Sequence, residues 1–551
     1  MRRRRPSLLG FGLGIAFIWA VFLPTIGAGG LHLRLDWRPP IVLAALLALL
    51  GLLGLARREL WAALRWVTAA LILVLAGLQF ADAAVERLLD RPLDLYFDLR
   101  HVPNLLGLYV EAAGTVRGVA VILAWALTLG LIFLLLVVAV IAVDRAMKRP
   151  NVALGSILAG LACALLLALP QSFGGGLVST AAIASASHQF GAGWRAFAVI
   201  HGFDHRYDAA LAAPEPTPGP LPGLKGRDVY LIFVESYGTV VLDEPAYHAV
   251  IAPALTEFAS VTGSAGYRLV SGRLLSPTFG GGSWLAHGTI ASGLKLDQLL
   301  SELVVNGKRL GLPRYLAAAG YRTVEVMPGI KKPYPEGGFW GFDRNYYAAD
   351  LGYSGPEFGW FDIPDQFTLD QFSHRELAPG HAPLFAQIVL VSSHTPFAPV
   401  PPYLADWGDA GKFATVPKTD WDSIYASPNW NNLDRPYLES IAYDLKTLGQ
   451  WLAQLDGSPL VIILGDHQPP ELTRGAGEAW TVPIHVLSRD AELVRPFEQL
   501  GYVAGAEPPP RDHPEGMESF LGEFLAAYAP SATGPASALP QSPGVQAASQ
   551  P

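Results

Sequence analysis

Residues Pro459–Pro470 read PLVIILGDHQPP. Five apolar residues, three of them β-branched, run into Gly465 and then into two ligand-type side chains, Asp466 and His467. Such a run has the length and composition of a strand buried on both faces. An acid placed directly after it would stand at the rim of a sheet, where the chain leaves the core. The same pattern occurs earlier in RDVYLIFVE (Arg227–Glu235), which ends in Glu235. GYRTVEVM and LFAQIVLV are further strand candidates. LPRYLAAAG and YLESIAYDLKTLGQWLAQL have helical spacing between them. Strands interleaved with helices predict a mainly parallel α/β sheet covered on both faces, with a site outside the carboxyl ends of the strands. Two acids and a histidine at two such ends offer hard oxygen and imidazole ligands suited to Zn2+ or Mn2+, with Mg2+ as a further option. An acid in this position can also simply cap the following helix.

Outward from this core the composition changes. The chain has 551 residues, and only 16% are charged. Charge is scarce before about residue 200 and ordinary between 225 and 525. Five apolar runs, 8–28, 41–56, 61–81, 119–143 and 152–169, are candidate membrane helices, since about 20 apolar residues cross a bilayer. Arg65 is the charge within the third run, near enough to an end to snorkel. Arg2–Arg5, Arg57, Arg58, Arg145, Lys148 and Arg149 would then lie on one side and outweigh the basic residues of the other loops, which places the N-terminus in the cytoplasm. The first run is expected to be a retained helix, because no small-residue cleavage site follows it. Between the third and fourth runs, LDLYFDLRHVPNLLGLYVEAAG is either a helix on the membrane surface or a polar connector.

The expected layout is a transmembrane domain over 1–170, a linker over 171–224 and an outer α/β domain over 225–528, followed by a disordered tail over 529–551. APEPTPGPLPG (Ala213–Gly223) makes the linker a semi-rigid spacer, and the tail is low in complexity. The single Cys163 excludes an intramolecular disulfide and a Cys-based zinc site. A net charge of −8 without a basic stripe gives no sign of a nucleic-acid partner.

SPTFGGGSWLAHGT (Ser276–Thr289) lies between the two acidic strand ends. Its glycines would let the backbone approach an anion, and a helix starting near Ser283 would aim N–H groups at it. A hydroxyl held at a divalent ion can attack phosphorus or sulfur.

Together, the strand ending in VES, the Gly-rich turn at a helix start, SSHTPF and LGDHQP resemble the alkaline phosphatase superfamily. The resemblance is to its membrane-bound sulfatase-like branch: lipoteichoic acid synthase and the phosphoglycerol and phosphoethanolamine transferases. It covers nearly the whole chain apart from the tail. It implies an N-terminal five-helix membrane domain followed by an extracytoplasmic α/β domain, on the outer face of a bacterial inner membrane. It implies Glu235, Asp466 and His467 as metal ligands. Ser283 stands where the family usually has threonine, as nucleophile and fourth ligand, with Thr278 the alternative and Thr289 behind it. Ser236 is expected to support the loop. His394 would lie near the transferred group, and His287 would share a helix face with Ser283 either to touch substrate or to pack. Arg344 and Trp340, in GFWGFDRNYY, would clamp and wall the head group, whereas Lys331 and Lys332 are expected to be solvated.

The implied reaction is transfer of a phospholipid head group, phosphoglycerol or phosphoethanolamine, to a glycan or lipid acceptor through a covalent phospho-enzyme. The formylglycine sulfatase motif is absent from the sequence, and the lack of disulfides favours the phosphoglycerol type. A hydrolase with the same site is the nearest alternative. A non-catalytic membrane protein with a degenerate polymer-binding outer domain is the alternative of another class.

Overall fold

The structure is a computed structural model and describes residues 7–27, 32–56, 58, 60–89, 91–169, 176–331, 337–356, 358, 363–407, 413, 433–470 and 480–530. Arg2–Arg5, Arg57, Lys332 and the expected tail beyond residue 530 fall outside these.

Each of the five apolar runs contains a helix, α1 (Leu8–Phe22), α2 (Ile41–Leu55), α3 (Ala62–Leu89), α5 (Thr115–Ala146) and α6 (Pro150–Ala168), but the first helix stops at Phe22, short of the expected residue 28, because the chain turns into a strand at Pro24. Three of them, α3, α5 and α6, are long and apolar enough to cross a membrane, whereas α1 and α2 have 15 residues each. A short hairpin, β1 (Pro24–Ile26) with β2 (Leu33–Leu35), follows α1. α2 and α6 approach closely because small residues meet at the contact. A Cβ on Gly51 would stand 2.6 Å from the Ala153 carbonyl oxygen, and one on Gly160 would stand 2.9 Å from that of Ala44. Such small-residue contacts are how helices associate where surrounding lipid removes the hydrophobic drive. Arg65 of α3 does not rely on snorkelling alone. Its guanidinium meets the buried Asp144 of α5 at 2.6 Å, and Asp144 also accepts the Leu60 amide.

The segment between the third and fourth runs is helical, α4 (Leu95–Ala113), and packs on α5. The span expected to be a linker is different from its reading. Ala181–Ile200 forms a 20-residue helix, α7, which packs against α3 and α4. Its buried Ala182, Ala192 and Ala196 allow close approach, and alanine is the best helix former.

Beyond residue 225 the strands are β3 (Val229–Val234), β4 (Arg268–Leu275), β5 (Arg322–Met327), β6 (Arg344–Tyr347), β7 (Leu384–Leu390), β8 (Leu460–Gly465), β9 (Thr481–Ser488) and β10 (Val503–Ala504). They form one sheet in the order β10-β4-β9-β8-β3-β7-β5-β6. β8, β3, β7, β5 and β6 run parallel, while β9, β4 and β10 add antiparallel pairs at one side, giving a mainly parallel mixed sheet. Every residue of β3, β7 and β8 is buried, as their apolar sequences demand. One face packs on helices Pro245–Ser264, Asp365–Glu376 and Asp434–Gln454, the last through Leu438, Ile441, Leu445 and Leu448 at helical spacing. The other packs on helices Ser283–Ser292, Leu312–Ala318, Ala491–Gln499 and Phe520–Tyr528. Two covered faces fix the register of the central strands, because a slip of one residue would exchange the faces.

Candidate active site

β3 and β8 are neighbours in parallel register, with Val234 opposite Gly465. The residues that follow them, Glu235 and Asp466, therefore leave the sheet side by side. Gly465 makes the approach possible, since a Cβ there would lie 1.9 Å from the Tyr237 carbonyl oxygen. Ser236 takes a left-handed backbone conformation (φ 56°), a strained state that persists where neighbours hold it. Here its amide donates to Asp466 Oδ1 at 2.8 Å and its hydroxyl donates to Glu235 Oε1 at 3.0 Å.

The Gly-rich stretch turns sharply into this corner. Gly280, Gly281 and Gly282 all have positive φ, a path that side-chain-bearing residues rarely follow. The Gly280 amide donates to the Gln468 carbonyl, and the Ser276 hydroxyl donates to that of Asp466 at 2.6 Å. So clamped, the turn delivers Ser283 as the first residue of its ten-residue helix. Ser283 Oγ donates to Glu235 Oε2 at 3.1 Å and lies 3.2 Å from His467 Nε2. The helix N-terminus at this point favours negative charge.

Thr278, the alternative, is spent on the turn: its hydroxyl donates to the Gly281 carbonyl at 2.6 Å. Thr289 is buried and accepts the Leu296 amide. Neither hydroxyl reaches the acidic corner.

Glu235, Asp466 and His467 form a buried cluster whose ligand atoms lie within 4.8 Å of one another. His467 Nδ1 faces the Gln468 carbonyl at 2.8 Å, so a proton there leaves Nε2 as the ligating nitrogen. Asp466 Oδ1 accepts two amides, from Ser236 and His467, but Oδ2 is buried with no hydrogen-bond partner. An orphaned carboxylate oxygen facing an imidazole and a second carboxylate fits a divalent cation. Burial raises the Asp466 pKa to about 7, reinforced by the Glu235 charge. Burial alone would lower that of His467, but the two carboxylates push it up to about 9. Burial likewise acts to raise Glu235, yet His467 holds it below the usual carboxylate range.

A cleft of about 810 Å³ opens over this corner, with Glu235, Ser283, His287 and His394 in its walls. His394 is carried by the turn after β7. Asp365 fixes that turn by accepting the Val391 and Ser392 amides, and Ser393 donates to the Glu235 carbonyl. His287 packs on Phe233 with ring centroids 4.1 Å apart, leaves Nε2 without a partner, and is pushed down to about pKa 4 by burial. It is a neutral imidazole that both packs and faces the cleft.

Arg344 and Trp340 are not brought to this corner. Arg344, at the start of β6, pairs with Asp350 at 2.8 Å and lies over the Tyr346 ring. Trp340 packs behind the helix that begins at Ser283, where a Cβ on Gly288 would come within 3.3 Å of its ring. The shared helix packing uses up the indole face that was expected to wall the head group. Lys331 is half-buried rather than fully solvated. Residues that sequence reasoning missed are Asp365, which positions the His394 turn, and Phe97, Arg100 and His101 of α4, which enter the cleft wall. The mixed aromatic and charged texture of the α4 segment was the available signal for the latter.

Residues 304–481 match the model of the sulfatase family. That span includes Asp466 and His467 and begins after Glu235 and Ser283. No curated protein matches the chain. Among solved structures, the lipoteichoic acid synthase LtaP from Listeria monocytogenes is similar at 15% identity, over 58% of this chain and 76% of that one, with a TM-score of 0.38. The phosphoglycerol transferase GacH of Streptococcus pyogenes is similar at 11% identity, over 55% and 75%, with a TM-score of 0.36. A phosphonate monoester hydrolase of Agrobacterium radiobacter is similar at 14% identity, over 54% and 77%, with a TM-score of 0.28. Over residues 304–481, then, the chain is similar to the sulfatase family.

Proposed function

We propose that this protein is a membrane-anchored phosphotransferase that takes the head group of a phospholipid through a phosphoserine intermediate on Ser283 and passes it to a glycan or lipid hydroxyl. The observation that carries this reading is Ser283 Oγ within hydrogen-bond distance of both Glu235 and His467. Glu235, Asp466 and His467 are the residues that would hold a divalent cation, Zn2+ or Mn2+. When bound, it supplies positive charge that lowers the serine pKa and offsets charge on phosphoryl oxygens.

Ser283 gives up its proton toward Glu235, the carboxylate to which it already donates. The Oγ–P bond forms as the P–O bond to diacylglycerol breaks, and His394 is the candidate to return a proton to the leaving oxygen. In the second half the acceptor hydroxyl gives its proton to His394 and attacks the same phosphorus, and Ser283 Oγ leaves, taking back the proton held by Glu235. N–H groups at the start of the Ser283 helix face the transferred group.

In this reading all five apolar helices cross the bilayer, with the N-terminus inside and the sulfatase-like domain outside the bacterial inner membrane. That arrangement suits a donor and a leaving diacylglycerol that both live in lipid. The 15-residue α1 and α2 would reach about 22 Å as helices and so depend on flanking residues to complete the crossing.

The test uses full-length protein in vesicles of labelled phosphatidylglycerol and phosphatidylethanolamine. Diacylglycerol release is expected, with a phosphorylated peptide containing Ser283 in quenched samples. Ser283→Ala should lower release by on the order of 10³-fold or more. Normal release by that variant, or a phosphate trapped on Thr278, would sink the assignment.

A further inference from the structure

The wall of the cleft facing Ser283 is not made by the sulfatase-like domain alone. Among the described residues lining it, those from the helical region all come from α4: Phe97, Arg100 and His101. These positions, i, i+3 and i+4, share one helix face. Arg100 forms an ion pair with Glu302, on the helix Gln298–Val305, and lies over the Tyr96 ring at 4.4 Å. His101 sets its ring 5.6 Å from that of Trp284, the residue after the nucleophile. A second stripe of α4, Leu99, Val102, Leu106 and Tyr109, is apolar and exposed. One helix thus offers a cationic and aromatic face to the cleft and an apolar face outward.

We propose that α4 is the donor-recognition element of the enzyme. Arg100 and His101 hydrogen-bond the phosphodiester and ester oxygens of a membrane phospholipid seated in the cleft, while the outward Leu99–Tyr109 stripe seats the helix among the surrounding acyl chains from which the donor enters. This rests on the phosphotransferase reading of the Ser283 site. The occupant is a lipid because the cleft lies where the catalytic face meets a helix with an exposed apolar stripe, beside helices apolar enough to cross a bilayer. Its anionic group is matched by Arg100, whose planar fork suits phosphate oxygens. Glu302 holds that guanidinium meanwhile, and when a phosphate takes its place the carboxylate, which is partly exposed, is left to solvent. A water-soluble diester would use the Ser283 corner but gain nothing from the stripe.

The decisive measurement compares kcat/KM of the full-length protein on phospholipid vesicles with kcat/KM on bis(p-nitrophenyl) phosphate. Leu99→Ser with Leu106→Ser should lower the lipid-to-diester ratio. Arg100→Ala should lower kcat/KM on both substrates, which share the phosphodiester, by about ten-fold or more, as for loss of a charge-assisted hydrogen bond, mainly through KM. Arg100→Lys should recover part of that loss. The double exchange Arg100→Glu with Glu302→Arg keeps an ion pair but moves the cation off α4, and kcat/KM on both substrates should stay low. A kcat/KM restored by the exchange or unchanged in both Arg100→Ala and His101→Ala, or a ratio unchanged in the stripe variant, overturns the proposal, since α4 would then be a structural tie only. If the wild type turns over neither substrate, the phosphotransferase reading has failed. α4 is then judged by native mass spectrometry of phosphatidylglycerol retained by the full chain: its loss in Arg100→Ala supports the lipid site, and equal retention overturns it.

Discussion

Leucine and phenylalanine follow opposite rules in the two halves of this molecule. In the sheet, Phe233 is 0% exposed and every neighbour in β3 is buried with it. In α5, Leu127 is 75% exposed, and Leu131, Leu134 and Val138 also face outward. Charge shows the reverse contrast. The half that holds the sheet buries carboxylates and imidazoles at its centre, whereas the helical half pairs its buried Asp144 with Arg65 near the ends of their helices. On the membrane reading proposed above, the same residue types obey different rules because the surrounding medium differs. Water drives apolar groups inside, whereas lipid tolerates them outside and penalises unpaired charge.

The contrast would break most visibly at the acidic corner. Asp466→Ala should abolish divalent-metal retention, measured by elemental analysis of purified protein, and lower turnover by ~100-fold or more. Retained metal with retained activity would show that the buried charge there serves another purpose. A smaller but still large effect is expected in the helices. Asp144→Ala leaves Arg65 without its carboxylate and should cost about 3–5 kcal/mol, read as a lowered melting temperature in detergent. Arg65→Met with Asp144→Leu should recover most of it.

Next in size is a pH effect in the sheet. Glu325 is buried on β5, with Oε2 unpartnered, and burial pushes its pKa up to about 8. A folded-state pKa raised from the carboxylate range means that the native state holds its proton more tightly than the unfolded chain. Its stabilising contribution is therefore complete below about pH 4.5 and is lost as pH rises toward 8. Glu325→Gln should flatten the fall in melting temperature between pH 5 and pH 9. An unaltered slope would show that Glu325 does not carry it. The smallest expected effect is at Arg344, which holds an exposed pair with Asp350. Arg344→Ala should change stability by less than about 1 kcal/mol and leave turnover within about two-fold. A large loss of turnover would return Arg344 to the substrate.

The same contrast explains what could be read from the sequence. β3 and β8 were legible because central parallel strands bury both faces and leave uninterrupted apolar runs, and β5 and β7 because β-branched and apolar residues still dominate around Glu325 and Gln387. β4 and β9 were not, since RLVSGRLL and TVPIHVLS carry Arg273 and His485 inward. Their partners, Asp243 for the arginine and Ser271 and Tyr237 for the histidine, come from distant parts of the chain or from another strand. α7 looked like a linker because its small residues carry little apolar signal, yet small size is what lets it pack. At the site, an acid after a buried strand marks a position that backbone geometry alone fixes, which is why Glu235 and Asp466 stood out. The choice between Ser283 and Thr278 depends on the direction of a turn through three positive-φ glycines, and composition does not encode that direction. Motif resemblance drew Arg344 and Trp340 toward the phosphate, but their contacts with Asp350 and Gly288 turn them elsewhere. Arg100 and His101 were hidden because they belong to another part of the chain and reach the cleft only through the docking of α4.

The adjacency of β3 and β8 also has a consequence in time. Residues 236 and 466 meet across a separation of 230 positions. During synthesis from the N-terminus, the apolar helices, Glu235 and the Ser283 turn all emerge long before the segment 460–467. Until that segment pairs with β3, Glu235 has neither Asp466 nor His467 beside it, and the turn lacks its anchors at Asp466 and Gln468. A growing chain would thus be settled among its helices while still chemically inert, and competence would arrive in one late step.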